Sequence, residues 1–219
     1  GGNNAESHNH NDVGSFIITY NGKPALIDLG RDTYTSQTFS SRRYEMINNR
    51  SMYHNVPVIN GYEQKDGSEY KGIDVDHTYT DSASVMIVDI AKAYPKEAGV
   101  KSWVRRMTLN RKQNKISIAE YIVMDNDSKP SADNSSRTDK ATEITLMSYG
   151  APRLQKKGSI ALADGAITLT YNPKTAESSW SKLKMNEGIM KTQWNDNVYR
   201  IILKPRLKSG VVEYQFEER

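Results

Sequence analysis

The chain has 219 residues, 37% hydrophobic and 26% charged, long enough to bury one large β-type core or two small ones. A formal charge of +4, spread along the chain without a long basic run, excludes a strong electrostatic case for nucleic acid. No apolar run approaches the roughly 20 residues that span a bilayer as a helix, and the absence of cysteine excludes disulfides and leaves any metal to imidazole and carboxylate.

In chain order, the first feature is SHNHNDVGSF (7–16): His8 and His10 at i, i+2, dense in asparagine, ahead of an apolar run. In an extended segment the two imidazoles would project to the same side. GSFIITY (14–20), Asn21-Gly22 and KPALID (23–28) read as a hairpin, since Asn-Gly suits the two positive-φ positions of a type I′ turn. Asp28 closes its second arm. Residues 40–49 could carry a helical turn or two, and include Arg42, Arg43 and Tyr44. SMYHNVPVING (51–61) places His54 before another apolar strand, and His77 in DVDHTYTD reads as a surface histidine.

ASVMIVDIA (83–91), VKSWVRRMTL (100–109) and KISIAEYIVM (115–124) then alternate apolar with polar residues, as half-buried strands do. A polar loop is expected over 125–140 and a strand over 141–149. SIALA (159–163), Asp164-Gly165 and AITLTY (166–171) read as a second short-turn hairpin. Residues 175–187 are a second place for a helical turn, and 197–204 and 210–216 are the last strands. So many short strands argue for an all-β fold, a large antiparallel β-sandwich occupying 1–219 as one domain. The loaded, glycine-rich opening suggests a piece of a longer chain.

Two imidazoles and one carboxylate would leave an open position on a divalent ion such as zinc. A two-residue turn pairs positions summing to 43 and sets Asp28 opposite Ser15, so strict alternation keeps His10 off the face of Asp28. The chain would have to deviate near Gly14 for the two to meet. Spacing alone leaves a metal site and ordinary hydrogen-bonded histidines both open.

The stretches GGNNAESHNHNDVGSFIITYNGKPALIDLG, YTSQTFSSRRYE and SMYHNVPVINGYEQKDG together resemble the C-terminal β-domain of the heparinase II/III-like polysaccharide lyases, closely over about the first 70 residues. The resemblance implies that His10, Asp28 and His54 hold a divalent metal, Zn2+ by preference. It implies that His8 faces the sugar and takes part in proton transfer, and an N-terminal α/α-toroid of the same protein as the other wall of the glycan groove. It further implies β-elimination on an acidic, uronic-acid-containing polysaccharide, of the heparin or heparan sulfate kind, and a periplasmic or secreted location. The 219 residues alone would then be inactive. Arg43 and Tyr44 are expected to line the groove, as arginine suits a carboxylate or sulfate and tyrosine a sugar face. Asn9, Asn11 and Asn55 are expected to orient the ligand loops. The rival expectations are a non-catalytic carbohydrate-binding or structural sandwich that keeps a structural metal, and a metal hydrolase, for which no general base is in view.

Overall fold

Residues 3–5, 8–125 and 141–218 are described in a computed structural model. The alternating segments pair into two large antiparallel sheets. One has eight strands in the spatial order Arg153–Lys156, Ser159–Leu162, Ile167–Tyr171, Gly210–Glu218, Lys115–Met124, Val100–Asn110, Ala83–Asp89 and Ile73–Tyr79. The other has six: Ala176–Lys184, Asn197–Pro205, Glu143–Ser148, Lys23–Leu26 and Ile18–Tyr20 in order, with Pro57–Val58 also paired to Glu143–Ser148. Asn3–Asn4 and Gly67–Lys71 form a separate two-stranded ribbon.

The inward residues of both large sheets share one core. Trp103, Ile118, Leu169 and Tyr214 come from the eight-stranded sheet and Leu26, Leu146, Ile201 and Leu203 from the six-stranded one. Each such aliphatic side chain contributes about 1.5–3 kcal/mol by leaving water. The expected all-β antiparallel sandwich is therefore the fold. The six-stranded sheet is buried on its second face too. Ile27, Leu29, Met147 and Val198 pack there with Met185 and with Met190 of the short helix Gly188–Trp194. Trp194 donates from Nε1 to the Leu29 carbonyl at 2.9 Å, which fixes the backbone beside Asp28.

Several expectations shift by a physical cause. The Asn21-Gly22 turn forms with φ of 45° and 74°, and Tyr20↔Lys23 and Thr19↔Pro24 keep the sum of 43. Past Thr19 a bulge intervenes and Ile18 pairs with Leu26. Pairing stops there, so Ser15 never faces Asp28. The deviation expected near Gly14 is present: its φ is +83°, and a Cβ would lie 2.6 Å from Cγ2 of Ile90, so both backbone and space require glycine. The second hairpin is not closed by two residues. Leu162 pairs with Ile167, and Ala163, Asp164 and Gly165 all take positive φ in a 3-10 turn.

Residues 175–187 are not helical: Ala176–Lys184 is an edge strand paired along its whole length with Asn197–Pro205, and the helix begins at Gly188. In the 40–49 stretch, Ser41–Glu45 is a 3-10 turn capped by the Ser40 hydroxyl. His77 lies exposed in the outermost strand. The loop expected over 125–140 lies, apart from Asp125, outside the described residues.

Candidate functional site

The segment 8–16 forms no strand, so its backbone groups need other partners. Side chains supply many of them. Buried Gln64 accepts from the Val13 N–H and donates to the Val13 carbonyl, both at 2.9 Å. Asn11 donates from its backbone to Asn49 O at 3.1 Å and from its side chain to Gln64 O at 3.2 Å. Arg43 donates to the Asn9 carbonyl at 2.7 Å and the Tyr44 hydroxyl to Asn9 Oδ1 at 2.9 Å. The carboxamides thus orient the loops, as their residue types suggest.

His54 follows the 3-10 turn Ser51–Tyr53 and is wholly buried. Its neighbour Asn55 fastens it to three pieces of backbone: the side chain donates to Phe16 O and to Ile27 O and accepts from Met147 N–H at 2.6 Å. Beneath both histidine segments sits the buried pair Arg105–Glu120. Arg105 Nε donates to Glu120 at 2.9 Å, and Nη1 donates to Gly14 O at 2.7 Å and to Asn55 O at 2.6 Å. One guanidinium therefore joins the end of the HNHND segment to the residue after His54.

His54 Nε2 lies 2.9 Å from Asn48 O, and Nδ1 lies 2.6 Å from Asp28 Oδ2. A carbonyl cannot donate, so Nε2 carries the proton, and Nδ1 faces an acidic oxygen that also cannot donate when ionised. At 2.6 Å a second proton on the pair relieves that contact. An imidazole whose far nitrogen donates to a carbonyl is also the arrangement that fixes a metal-ligating tautomer. The His10 ring lies 5.2 Å from that of His54, and ligand atoms of His10, Asp12 and His54 fall within 4.8 Å of one another. The group of mutually close ligand atoms is His10, Asp12 and His54; Asp28 is not a member of it and joins only through its contact with His54. Two imidazoles and one carboxylate, with the Asp28 carboxylate against His54, suit a divalent ion of borderline softness. Asp12 is the member the sequence reading missed, although it stands at i, i+2 from His10 within the same HNHND run.

The titrations follow from the geometry. Burial opposes charge on His54, but the hydrogen bond and charge of Asp28 outweigh it and raise its pKa above the ordinary histidine value. Burial acts against the Asp28 carboxylate as well, and the His54 hydrogen bond and charge bring it below its usual range. His10 is lowered, by burial first and then by the charge of His54. In the metal-free chain the Asp28–His54 pair therefore stabilises between these limits. The His54 part is full below pH 6.5 and lost as pH rises through its raised value, and the Asp28 part is lost as pH falls through its lowered one. A metal competes with the proton that Asp28 favours on His54, and less with one on His10, whose burial disfavours the charged form. Titration with Zn2+ at pH 7 in buffers of different ionisation enthalpy is expected to show proton release, with affinity rising with pH. Zinc binding without proton release would exclude a protonated His54.

His8 does not share the extended geometry expected of it. It stands at φ +63°, exposed, with its ring stacked on Tyr34 at 5.6 Å and edge-on to Phe39 at 6.3 Å. The Tyr34 hydroxyl is 3.3 Å from His8 Nδ1. His8 and half-buried His10 nevertheless border one small hollow, together with Arg31, Arg43 and Asn48. A wider hollow of about 240 Å³ opens beside it between His8, Phe39 and Arg43. Arg43 lies over the Tyr44 ring at 5.1 Å, and its buried Nε has no hydrogen-bond partner among the described residues.

A two-sheet antiparallel sandwich that carries an exposed histidine beside a half-buried imidazole–carboxylate cluster defines a sandwich domain with a candidate metal centre at one surface. Comparison with known proteins narrows this: the chain belongs to the heparinase II/III-like C-terminal family, which it matches over residues 1–206. The structure of a heparinase III gene product has a similar fold, with a TM-score of 0.60 and 11% identity over 94% of this chain. The chain spans 30% of that protein's length. No curated protein sequence matches it.

Proposed function

We propose that the chain is the sandwich portion of a lyase that cleaves uronic-acid glycans by β-elimination, with His8 exchanging a proton with the sugar. What supports this reading most is the placement of His8: exposed at the mouth of a hollow, on the same short segment whose His10 is anchored in the candidate metal centre. In β-elimination the C5 proton leaves, the bond from C4 to the leaving oxygen breaks, and a C4–C5 double bond forms. The C5–H is weakly acidic, so a base must lie within hydrogen-bond reach while positive charge faces the developing carboxylate-enolate. His8 offers the base in the tautomer whose Nδ1–H donates to the Tyr34 hydroxyl oxygen, leaving the Nε2 lone pair to take the C5 proton, and the imidazolium so formed returns a proton to the leaving oxygen. Arg43, with an unpartnered Nε, offers the charge.

His10, His54, Asp28 and Asp12 would hold zinc or a similar divalent ion. When bound, it supplies positive charge that fixes the ligand segments. The remaining parts of the proposal are an N-terminal toroid of the same protein as the opposite wall of the groove, and a periplasmic or secreted location where such glycans are met. Tyr44 is given a supporting part only, because its hydroxyl is engaged by Asn9.

The full-length protein incubated with heparan sulfate, chondroitin-type chains and alginate is expected to generate ultraviolet absorbance from an unsaturated uronate on at least one of them. The 219-residue chain alone should generate none. Reducing ends without that absorbance would mean hydrolysis, and no cleavage of any uronate glycan would leave the non-catalytic binding module.

A further inference from the structure

Arg105 and Arg106 are consecutive in one strand, and consecutive side chains leave opposite faces of a sheet. Arg105 points into the core toward the histidine segments, so Arg106 stands on the reverse, outer face. That outer face holds a hollow of about 700 Å³. Its floor is a single row across four strands. Thr170 pairs with Gln215, Gln215 with Ser117 and Ser117 with Thr108. The row crosses three strand gaps, about 14 Å at the usual spacing.

A solvated sheet face ordinarily carries long charged side chains. This row carries three hydroxyls and one carboxamide, and the Thr170 hydroxyl is itself buried, with no hydrogen-bond partner among the described residues, so a sugar would reach it only where the neighbouring side chains part. Such groups both donate and accept, as sugar hydroxyls do. Tyr121, 39% exposed, borders the hollow on one side and presents a ring on which the C–H face of a pyranose can rest. The charges at the rim do not suit a polyanion: Arg106 is joined by the acidic Glu213, and Lys115 is paired with Glu217 at 2.9 Å.

We propose that this trough is a second saccharide-binding site, separate from the histidine centre, that takes two or three rings of a neutral or sparsely charged glycan chain by hydrogen bonds from Thr108, Ser117, Thr170 and Gln215 and by stacking on Tyr121. Nothing in the proposal depends on the lyase chemistry. Its effect would be to hold a long or mixed glycan on the domain, at a site other than the one where His8 meets a sugar.

The test is NMR titration of the 219-residue chain with cellohexaose and with a hyaluronan hexasaccharide. Saturable shifts centred on the four floor residues are expected with at least one of them. Ser117→Arg, which fills the trough, should weaken that binding at least tenfold at an unchanged melting temperature, and Gln215→Ala should weaken it less. His10→Ala should leave it intact. The proposal is overturned if neither sugar saturates, if folded Ser117→Arg and Gln215→Ala both bind as the parent does, or if His10→Ala abolishes the shifts.

Discussion

Arg105→Met is expected to cost about 3–5 kcal/mol of folding stability, because it leaves the Glu120 carboxylate buried without its cation. That is a large share of the 5–15 or so kcal/mol that holds a typical domain together. The variant also discriminates between two accounts of the pair. Were Arg105–Glu120 only an ion pair, replacing both partners by apolar residues of similar volume would restore much of the loss. Here the guanidinium also serves the carbonyls of Gly14 and Asn55, while Glu120 accepts from Trp103 Nε1 and the Tyr214 hydroxyl. Each buried group left unpaired costs about 1–3 kcal/mol. Arg105→Met with Glu120→Leu should therefore remain less stable than the parent in urea, and should bind Zn2+ more weakly although no proposed ligand has changed. Parental stability and zinc affinity in the double variant would show that the pair contributes nothing to the histidine site.

How far the fold could be read from the chain depended on burial. Val100–Asn110 and Lys115–Met124 lie centrally in the large sheet with one face in the core, so their sequences alternate and their bounds fall within a residue of expectation. Strands with one neighbour or little buried surface left no such mark. Arg153–Lys156 and Ile73–Tyr79 are the two edges of that sheet and almost wholly exposed, and both passed unread. Ala176–Lys184, edge of the other sheet, is rich in Ser, Lys and Glu and looked like a place for a helical turn. At the site, parity showed that His10 and Asp28 could not meet on a regular hairpin. It could not show that the hairpin is irregular, with a bulge between Ile18 and Thr19 and no pairing beyond, nor that Asp12 rather than Asp28 stands with His10. Grouping His10, Asp28 and His54 rested on resemblance, since contacts between residues 26 and 44 apart depend on how loops are held. Neither the side chain that holds them, Arg105, nor the second carboxylate, Asp12, stood out by composition.

Replacement of the exposed histidine should have the largest effect on catalysis. In the full-length protein His8→Ala is expected to lower kcat about 10²–10⁴-fold, the span that one positioned acid–base group contributes. Zinc content and melting temperature should stay at the parental level, because His8 is exposed and, among the described residues, its ring meets Tyr34 and Phe39 and lies outside the His10, Asp12 and His54 group. His10→Ala should also lose activity, but together with zinc. The two variants thus separate a proton-transfer role from a structural one. Tyr34→Phe refines the assignment. It keeps the stacked ring and removes the hydroxyl 3.3 Å from His8 Nδ1, so the tautomer that presents the reactive nitrogen is no longer selected. A smaller fall in kcat with a displaced pH profile is expected, with KM little changed. If His8→Ala keeps parental kcat on every uronate glycan the full-length protein cleaves, proton transfer lies outside this domain and the HNHND segment is left with ligand-holding alone.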